Sequence, residues 1–234
     1  MYDKSAHLYD TLYRHKDYEK EVLYLRDVIA THGKTGGNRL LDVACGTGKH
    51  VFHLKHHFQT EGLDLNSALL AHATERNPDV LFHIGDMQRF SLGTTFDVVT
   101  CLFSAIGHLE NTAALTEAIK SMSDHLVPGG ILFIEPWIFP ENFREGTLSS
   151  LIVDDPEMKI VRMSIAQREG NHSIFDLHHL VGTPSSVESF QERLQLTLFE
   201  KTEYERAYTD AGLTVHFDPI GPMGRGLFIG IKPH

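Results

Sequence analysis

The chain has 234 residues, 41% of them hydrophobic and 22% charged, with 21 basic and 31 acidic side chains and a formal net charge of -10. This acidic balance without a basic cluster argues against a nucleic-acid backbone as the main partner. No apolar run approaches the roughly 18 residues of a membrane span, and the opening MYDKSAHLYD is too polar for a secretory signal. Cys45 and Cys101 are read as packed thiols, so we predict a soluble cytoplasmic protein.

Strand and helix signals alternate through the first part of the chain. Apolar residues at helical spacing predict a helix over 17–32. Strands are then predicted at 39–44, 59–65, 80–84, 96–102 and 131–135, and helices at 47–58, 66–76 and 112–126, with a turn at 128–130. Continuous apolar strands between helices are typical of a parallel sheet covered on both faces, so the fold class is α/β.

The pattern changes after Pro136. Three extended segments, KIVRMSIAQRE, HSIFDLHHLVG and ESFQERLQLTLF, are separated by turn residues and predict an inserted antiparallel meander. A helix at 201–211 and strands at 214–218 and 227–231 then complete the chain.

The stretch LLDVACGTGK, residues 40–49, places a glycine turn directly after a strand. A phosphate-binding P-loop would need glycine at Val43 and Ser or Thr at His50, so that motif fails at both ends. The dinucleotide motif GxGxxG fails because its third glycine position is Val51. Neither a triphosphate nor a dinucleotide pyrophosphate is therefore predicted to bind at this glycine turn.

Two acidic residues frame the turn instead. Asp42 ends the first strand, and Asp64 ends the second, where a carboxylate is placed to accept from two ribose hydroxyls. The turn glycines allow the backbone to approach a ligand without a phosphate. Because Asp42 lies beside the turn, a cationic ligand with a ribose and an adenine suits this set by simple charge.

The segments LLDVACGTG, EGLDL, GDM and a PGG turn before a strand, in this order, resemble the class I S-adenosylmethionine methyltransferases. The resemblance implies a Rossmann-like sheet, with Asp64 on the ribose, Asp86 and Met87 at the adenine, and the glycine turn along the methionine half. The predicted cofactor-binding residues are Tyr13, Asp42, Ala44, Gly46, Gly48, Asp64, Leu65, Asp86, Met87 and Phe103.

A closer resemblance covers nearly the whole chain. Segments YDTLYRHKDY, LFSAIGHL, IEPWIFPENF, TLFEKTEYERAYTDAGL and GPMGRGLFIG are similar to nucleotide-sugar N,N-dimethyltransferases, which methylate the amine of a TDP-linked 3-amino-deoxyhexose. The same scaffold also serves other small amine, hydroxyl or carboxylate acceptors, and a non-catalytic cofactor-binding protein is a further alternative.

The resemblance also suggests an organisation for the chain. We predict one methyltransferase domain over 1–234, made of an N-terminal helical lid (1–37), a cofactor-binding core (38–135), an antiparallel β insertion (136–200) and C-terminal elements that complete the sheet (201–234). By the same resemblance we expect a homodimer.

Methyl transfer from a sulfonium to an amine is a direct displacement that needs a neutral amine and good alignment. A general base is useful only to keep or make that amine neutral. Tyr13 and His125 are the predicted catalytic residues. The alternative for Tyr13 is an aromatic side chain that packs a surface helix, and the alternative for His125 is a histidine at a helix C-terminus that interacts favourably with the helix dipole. His108 is a third candidate, at a position where the resembling family tends to carry an aromatic residue.

A sugar nucleotide also requires a diphosphate contact. Arg225, between Gly224 and Gly226, is the predicted phosphate ligand, because a guanidinium binds phosphate oxygens bidentately. Trp137 is predicted to stack on the base or sugar, with a core or dimer-interface role as the alternative. The 16 histidines form no recognisable metal signature, so no metal is predicted.

Overall fold

The computed structural model describes Ser5 and residues 8–234. Its helices are α1 (Tyr9–Leu12), α2 (Tyr18–His32), α3 (Lys49–Leu54), α4 (Ser67–Arg76), α5 (Thr112–Asp124) and α6 (Lys201–Asp210), with a 3₁₀ turn at Ala105–His108. The strands are β1 (Arg39–Val43), β2 (Gln59–Asp64), β3 (Leu81–Ile84), β4 (Phe96–Cys101), β5 (Leu126–Ile134), β6 (Leu148–Asp154), β7 (Lys159–Glu169), β8 (His172–Gly182), β9 (Val187–Thr197), β10 (Thr214–Asp218) and β11 (Leu227–Ile231).

The chain divides into two compact units. The larger unit consists of Asp17–Phe139 and Phe199–His234, and the smaller unit of Pro140–Leu198 with the described part of Met1–Lys16. Strand order in the larger unit is β10-β11-β5-β4-β1-β2-β3, and the smaller unit holds the four strands β6-β7-β8-β9. The prediction of a single domain over 1–234 stays a prediction.

The larger sheet forms because its central strands are apolar on both faces. Leu41 and Val99 pack on the side of α5, whereas Leu40 and Val98, their neighbours in sequence, pack on the side of α2. Successive strand residues point to opposite faces, so helices must cover both. The five strands from β1 to β5 are parallel, and β11 and β10 add an antiparallel edge.

Two predicted boundaries in the larger unit are wrong. The prediction placed a turn at 128–130, but β5 runs through Leu126–Ile134, and its register with β4 shifts at this point. A β-bulge accommodates residues 128–130, which the sequence pattern predicts as a turn, within the strand. The helix predicted at 47–58 is only Lys49–Leu54, because Gly48 in the left-handed conformation delays its start.

The smaller unit is an antiparallel meander, as predicted, but with one more strand. The unpredicted strand, β6, pairs with β7 along its full length. Its sequence LSSLIVD has no regular alternation of polar and apolar residues. Strand β6 lies at the edge of the sheet, so its ladder hydrogen bonds are made with β7. Helix α1 and the residue before it cover one face of this sheet, because Leu8 and Leu12 pack on Val153, Ile160 and Val181.

Candidate active site

The carboxylate of Asp64 lies at the carboxyl end of β2 and is held by two backbone groups. The Gly46 N–H donates to Oδ2 and the Asn66 N–H to Oδ1, each at 2.8 Å. Burial raises the pKa of Asp64, while hydrogen bonds from backbone N–H groups lower it. A carboxylate oxygen has more than one acceptor position, so both oxygens keep capacity for ligand hydroxyls.

The glycine turn has a backbone that few other residues could adopt. Gly46 and Gly48 have φ values of 56° and 71°. A Cβ at Gly48 would lie 3.0 Å from the Cβ of Ala73, whereas a Cβ at Gly46 would meet no atom within 4 Å. Gly48 therefore permits close packing on α4, and Gly46 faces the space where a ligand can approach the backbone.

Asp42 supplies negative charge beneath this turn. Its side chain is only 1% exposed, and its Oδ1 accepts a hydrogen bond from the Thr100 hydroxyl at 2.7 Å. Thr100 belongs to the neighbouring strand β4, whose pairing with β1 places it directly opposite Asp42. A buried, oriented carboxylate is suited to a nearby cation.

The adenine end of the predicted site combines a turn with exposed apolar side chains. Asp86 accepts the Gln88 N–H at 2.9 Å, and Met87 packs against the core. Leu65 and Ile84 are 68% and 71% exposed, although both are aliphatic. Ile84 pairs with Asp64 across β2 and β3, so apolar surface lies next to the Asp64 carboxylate.

A second cluster lies at the carboxyl ends of β4 and β5. Phe103 and Ser104, which follow β4, have φ values of 53° and 60°, an uncommon conformation for residues other than glycine. The Phe103 N–H donates to Oε2 of Glu135 at 2.7 Å, and the Ser104 hydroxyl donates to the Pro136 carbonyl at 2.7 Å. These bonds fix the turn against the end of β5.

Arg225 joins this cluster from the loop between β10 and β11. Its Nη1 donates to the Ser104 hydroxyl at 3.0 Å and lies 3.9 Å from Oε1 of Glu135. Its guanidinium is 5.1 Å from the ring centre of Trp137 and 5.9 Å from that of Phe103. The structure thus brings together both predicted substrate residues and one predicted cofactor residue.

The three candidate bases occupy three different places. His108 ends the 3₁₀ turn that follows Ser104, and burial lowers its pKa to about 4, so its ring is neutral at neutral pH. Tyr13 belongs to the smaller unit, where Arg162 donates to its hydroxyl at 3.3 Å. The predicted role of Tyr13 stays a prediction.

The predicted catalytic role of His125 does not fit the structure. This residue precedes β5, at the amino ends of β4 and β5, whereas the clusters described above lie at the carboxyl ends. Its Nε2 accepts the Leu92 N–H at 3.0 Å, Nδ1 lies 2.7 Å from the Ser121 carbonyl oxygen, and the ring stacks on Phe90. Backbone groups occupy both ring nitrogens, so His125 stabilises this edge of the sheet.

Sequence reasoning missed Glu135, Ser104 and Thr100 as members of the site. Glu135 carried a usable signal, since it is an acidic residue that directly follows an apolar strand. Ser104 and Thr100 carried none, because their roles depend on groups distant in sequence. Among the described residues, no group of three or more His, Cys, Asp or Glu side chains could hold a metal ion.

Comparison with known proteins defines the class. Residues 40–130 match the family model described as a methyltransferase domain. The structure of DesVI from Streptomyces venezuelae superposes with a TM-score of 0.92 at 41% identity, covering 98% of each chain. S-adenosylmethionine-bound CalS10, an amino pentose methyltransferase from Micromonospora echinaspora, superposes at 0.89 with 38% identity over 96% of each chain. The chain is therefore a class I S-adenosylmethionine-dependent methyltransferase.

Its family follows from the curated relatives. The dTDP-3-amino-3,6-dideoxy-alpha-D-glucopyranose N,N-dimethyltransferase of Streptomyces fradiae is 44% identical over 97% of this chain and 90% of its own. The dTDP-3-amino-3,4,6-trideoxy-alpha-D-glucopyranose N,N-dimethyltransferase of Streptomyces venezuelae is 41% identical over 97% of this chain and 97% of its own. The protein belongs to the family of TDP-amino-deoxysugar N,N-dimethyltransferases. The predicted family, fold, enzyme class and cofactor are confirmed.

No helix within the described residues is long and apolar enough to cross a membrane.

Proposed function

We propose that this enzyme methylates the neutral amino group of a nucleotide-linked amino sugar of the TDP-3-amino-deoxyhexose type. The observation that carries this proposal is the placement of Arg225 and Trp137 at the same sheet edge as Asp64. A guanidinium beside an indole is suited to a diphosphate joined to a ring, because it binds phosphate oxygens as a fork while the aromatic face packs on the ring.

The residues around the glycine turn fit S-adenosylmethionine. Asp64, held by two backbone N–H groups, would accept from the ribose hydroxyls. Leu65 and Ile84 would contact the adenine through their exposed apolar surfaces. Asp42 would face the methionine half, where its charge suits an ammonium or a sulfonium. When bound, the cofactor supplies a methyl group on a positively charged sulfur.

The chain's contribution to the reaction is mainly alignment. The methyl carbon would leave the sulfur as it bonds to the amine nitrogen, and the new ammonium would release its proton to solvent water. Arg225 would hold the diphosphate and so fix the sugar relative to the cofactor edge. We assign His108 as the residue that faces the amine, since burial lowers its pKa to about 4 and leaves a neutral imidazole that can accept a hydrogen bond from the amine.

Calorimetry with TDP tests the acceptor assignment. The protein loaded with S-adenosylhomocysteine is titrated with TDP, and we expect saturable binding that Arg225→Ala weakens more than about tenfold, because a charge-assisted hydrogen bond contributes roughly 1.5–3 kcal/mol. Arg206→Ala is the control, since its side chain is 83% exposed and remote from the cluster in sequence and contacts. Absence of TDP binding with intact cofactor binding would contradict a nucleotide-sugar substrate and point to phosphate-free amines.

We further propose that the enzyme is a homodimer that pairs through the smaller unit. One face of its sheet carries large apolar side chains that are 42% to 71% exposed, namely Leu148, Ile152, Met163, Ile165, Leu180 and Val187. The pairing places Ile152, Val161 and Leu180 side by side across three strands, so these residues form one surface. A contiguous exposed apolar surface of this kind is typical of an interface between protein chains.

Sedimentation tests this arrangement. Ile152→Lys would place a charge in the centre of the apolar face and is expected to give monomers at micromolar concentration. Leu81→Lys is the matched control, because Leu81 is also exposed on a strand but belongs to the larger unit. A dimer that persists in Ile152→Lys would contradict this interface.

We also propose a cytoplasmic location. The two thiols, Cys45 and Cys101, are free and buried, and burial raises the pKa of both. Such thiols suit a reducing compartment. Cell fractionation with an antibody to the native chain would test this, and recovery outside the cytoplasm would contradict it.

A further inference from the structure

The carboxylate of Glu135 is an unusual feature of the second cluster. The Glu135 side chain is 0% exposed, although the residue directly follows β5 and its Oε1 lies 3.9 Å from the guanidinium of Arg225. Removing a carboxylate from water is costly, and only good pairing offsets that cost. One oxygen accepts the Phe103 N–H at 2.7 Å, and the other lies 3.9 Å from Nη1 of Arg225.

Glu135 therefore connects two segments whose backbones are themselves constrained. Phe103 and Ser104 both have positive φ. Arg225 lies between two glycines with φ of 77° and 91°, and a Cβ at Gly226 would come within 2.4 Å of the Phe217 ring. Constrained backbone of this kind persists only where the surroundings hold it, and it occurs often at ligand sites.

The contacts of Arg225 divide into two kinds. The hydroxyl of Ser104 and the ring of Trp137 set the orientation of the guanidinium. The carboxylate of Glu135 attracts the guanidinium electrostatically. The distance of 3.9 Å between Oε1 and Nη1 makes this an ion pair without a hydrogen bond. The arginine is thus oriented before any ligand binds, and a pre-oriented side chain loses less rotamer freedom on binding.

We propose that Glu135 is a positioning residue for the diphosphate site. Its carboxylate holds the Arg225 guanidinium and the Phe103–Ser104 turn in the arrangement that receives a nucleoside diphosphate. This inference rests on the proposed function. It assigns Glu135 no contact with substrate, because its carboxylate is completely buried.

Glu135→Gln separates the two contacts. The amide oxygen of glutamine still accepts the Phe103 N–H, so the turn is retained. The amide NH₂ then faces the guanidinium, and an attractive pair becomes a contact between two donors. The variant should therefore disturb Arg225 while the buried backbone N–H keeps its partner.

The experiment is a double-mutant cycle read by calorimetry with TDP on the S-adenosylhomocysteine-loaded protein. We expect Glu135→Gln to weaken TDP binding about fivefold, the effect of one loosened side chain, and Arg225→Met to weaken it more. The double variant should bind TDP as Arg225→Met does. Affinity for S-adenosylhomocysteine should change less than about twofold. In turnover assays, Glu135→Gln should raise the KM for the sugar nucleotide more than it lowers kcat.

Glu21→Gln is the matched control, since Glu21 is another buried carboxylate of the larger unit, paired with His50 at 2.8 Å. We expect it to lower the melting temperature and leave TDP affinity unchanged. Ser104→Ala provides a second route if Glu135→Gln does not fold. It removes a guanidinium contact without touching the carboxylate, and it should weaken TDP binding in wild type but not in Arg225→Met.

The outcomes distinguish this inference from the proposed function. If wild type does not bind TDP, the nucleotide-sugar assignment fails and the role of Glu135 fails with it. If Arg225→Met weakens TDP binding but Glu135→Gln does not, only the role of Glu135 is overturned. An equal loss from Glu135→Gln in the presence and absence of Arg225 would also overturn it, because Glu135 would then act through another contact.

Discussion

The buried carboxylates among the described residues all lie in the larger unit of the protein, and none lies in the smaller unit. In the larger unit, Asp42, Asp64 and Glu135 are buried, and backbone N–H groups or a hydroxyl hold each carboxylate. In the smaller unit, pairs such as Arg14–Asp155 lie at the surface, while one face of the sheet exposes apolar side chains. The larger unit therefore holds the pre-oriented polar groups of the candidate active site, whereas the smaller unit exposes an apolar surface suited to contacts with another protein chain.

Asp64→Ala should produce the largest change, since it removes the most completely oriented carboxylate. We expect affinity for S-adenosylhomocysteine to fall about 1,000-fold, because two charge-assisted hydrogen bonds contribute roughly 1.5–3 kcal/mol each. Calorimetry measures the loss. Glu61→Gln, three residues earlier on β2, is the control and should bind normally. A loss below tenfold in Asp64→Ala would contradict the ribose assignment.

His108→Asn tests whether the neutral imidazole beside the second cluster takes part in turnover. We expect kcat to fall about 30-fold, because a hydrogen bond to a group that becomes charged during the reaction contributes roughly 1.5–3 kcal/mol. The KM for the cofactor should stay within about threefold. Steady-state assays with the sugar nucleotide measure both quantities. His125→Asn provides the contrast, because any effect on kcat there should follow its loss of thermal stability.

The same variant should change the pH dependence of stability. Burial lowers the pKa of His108 from 6.5 to about 4, so the unfolded chain binds this proton more readily than the folded chain between those values. Stability is therefore lost as pH falls through this window, by about 2 kcal/mol between pH 7 and pH 5. Urea unfolding at both pH values should show a smaller loss in His108→Asn. The exposed His57, replaced by asparagine, should leave the wild-type slope unchanged.

The surface pairs of the smaller unit should contribute least. Arg14 donates to Asp155 at 2.9 Å, with side chains 33% and 40% exposed. Exposed pairs of this kind contribute roughly 0–1 kcal/mol, so Arg14→Met should lower the free energy of unfolding by about 0.5 kcal/mol. Unfolding at low and high salt would check this. A loss above 2 kcal/mol would show that the contrast between the two units is overstated.

Local patterns in the sequence were sufficient to locate several residues of the candidate site. The glycine turn, Asp42 and Asp64 could be predicted because they follow apolar strands, and parallel strands bring their carboxyl ends to one edge. The chain segment around 128–130 was misread because Pro-Gly-Gly signals a turn locally, while pairing with β4 accommodates it as a bulge. Strand β6 was missed because its pairing with β7 leaves no mark on its own composition.

The positions of His125 and Arg225 in the fold could not be predicted from local sequence patterns. Both were selected for their side-chain chemistry, but the topology places His125 at the amino edge of the sheet and Arg225 at the carboxyl edge. The sequence by itself determined the family, the cofactor and the alternation of strands and helices, since these depend on short motifs and periodic burial. Only the tertiary structure decided which charged groups meet, because the contacts of Glu135, Ser104 and Arg225 join segments that are distant along the chain.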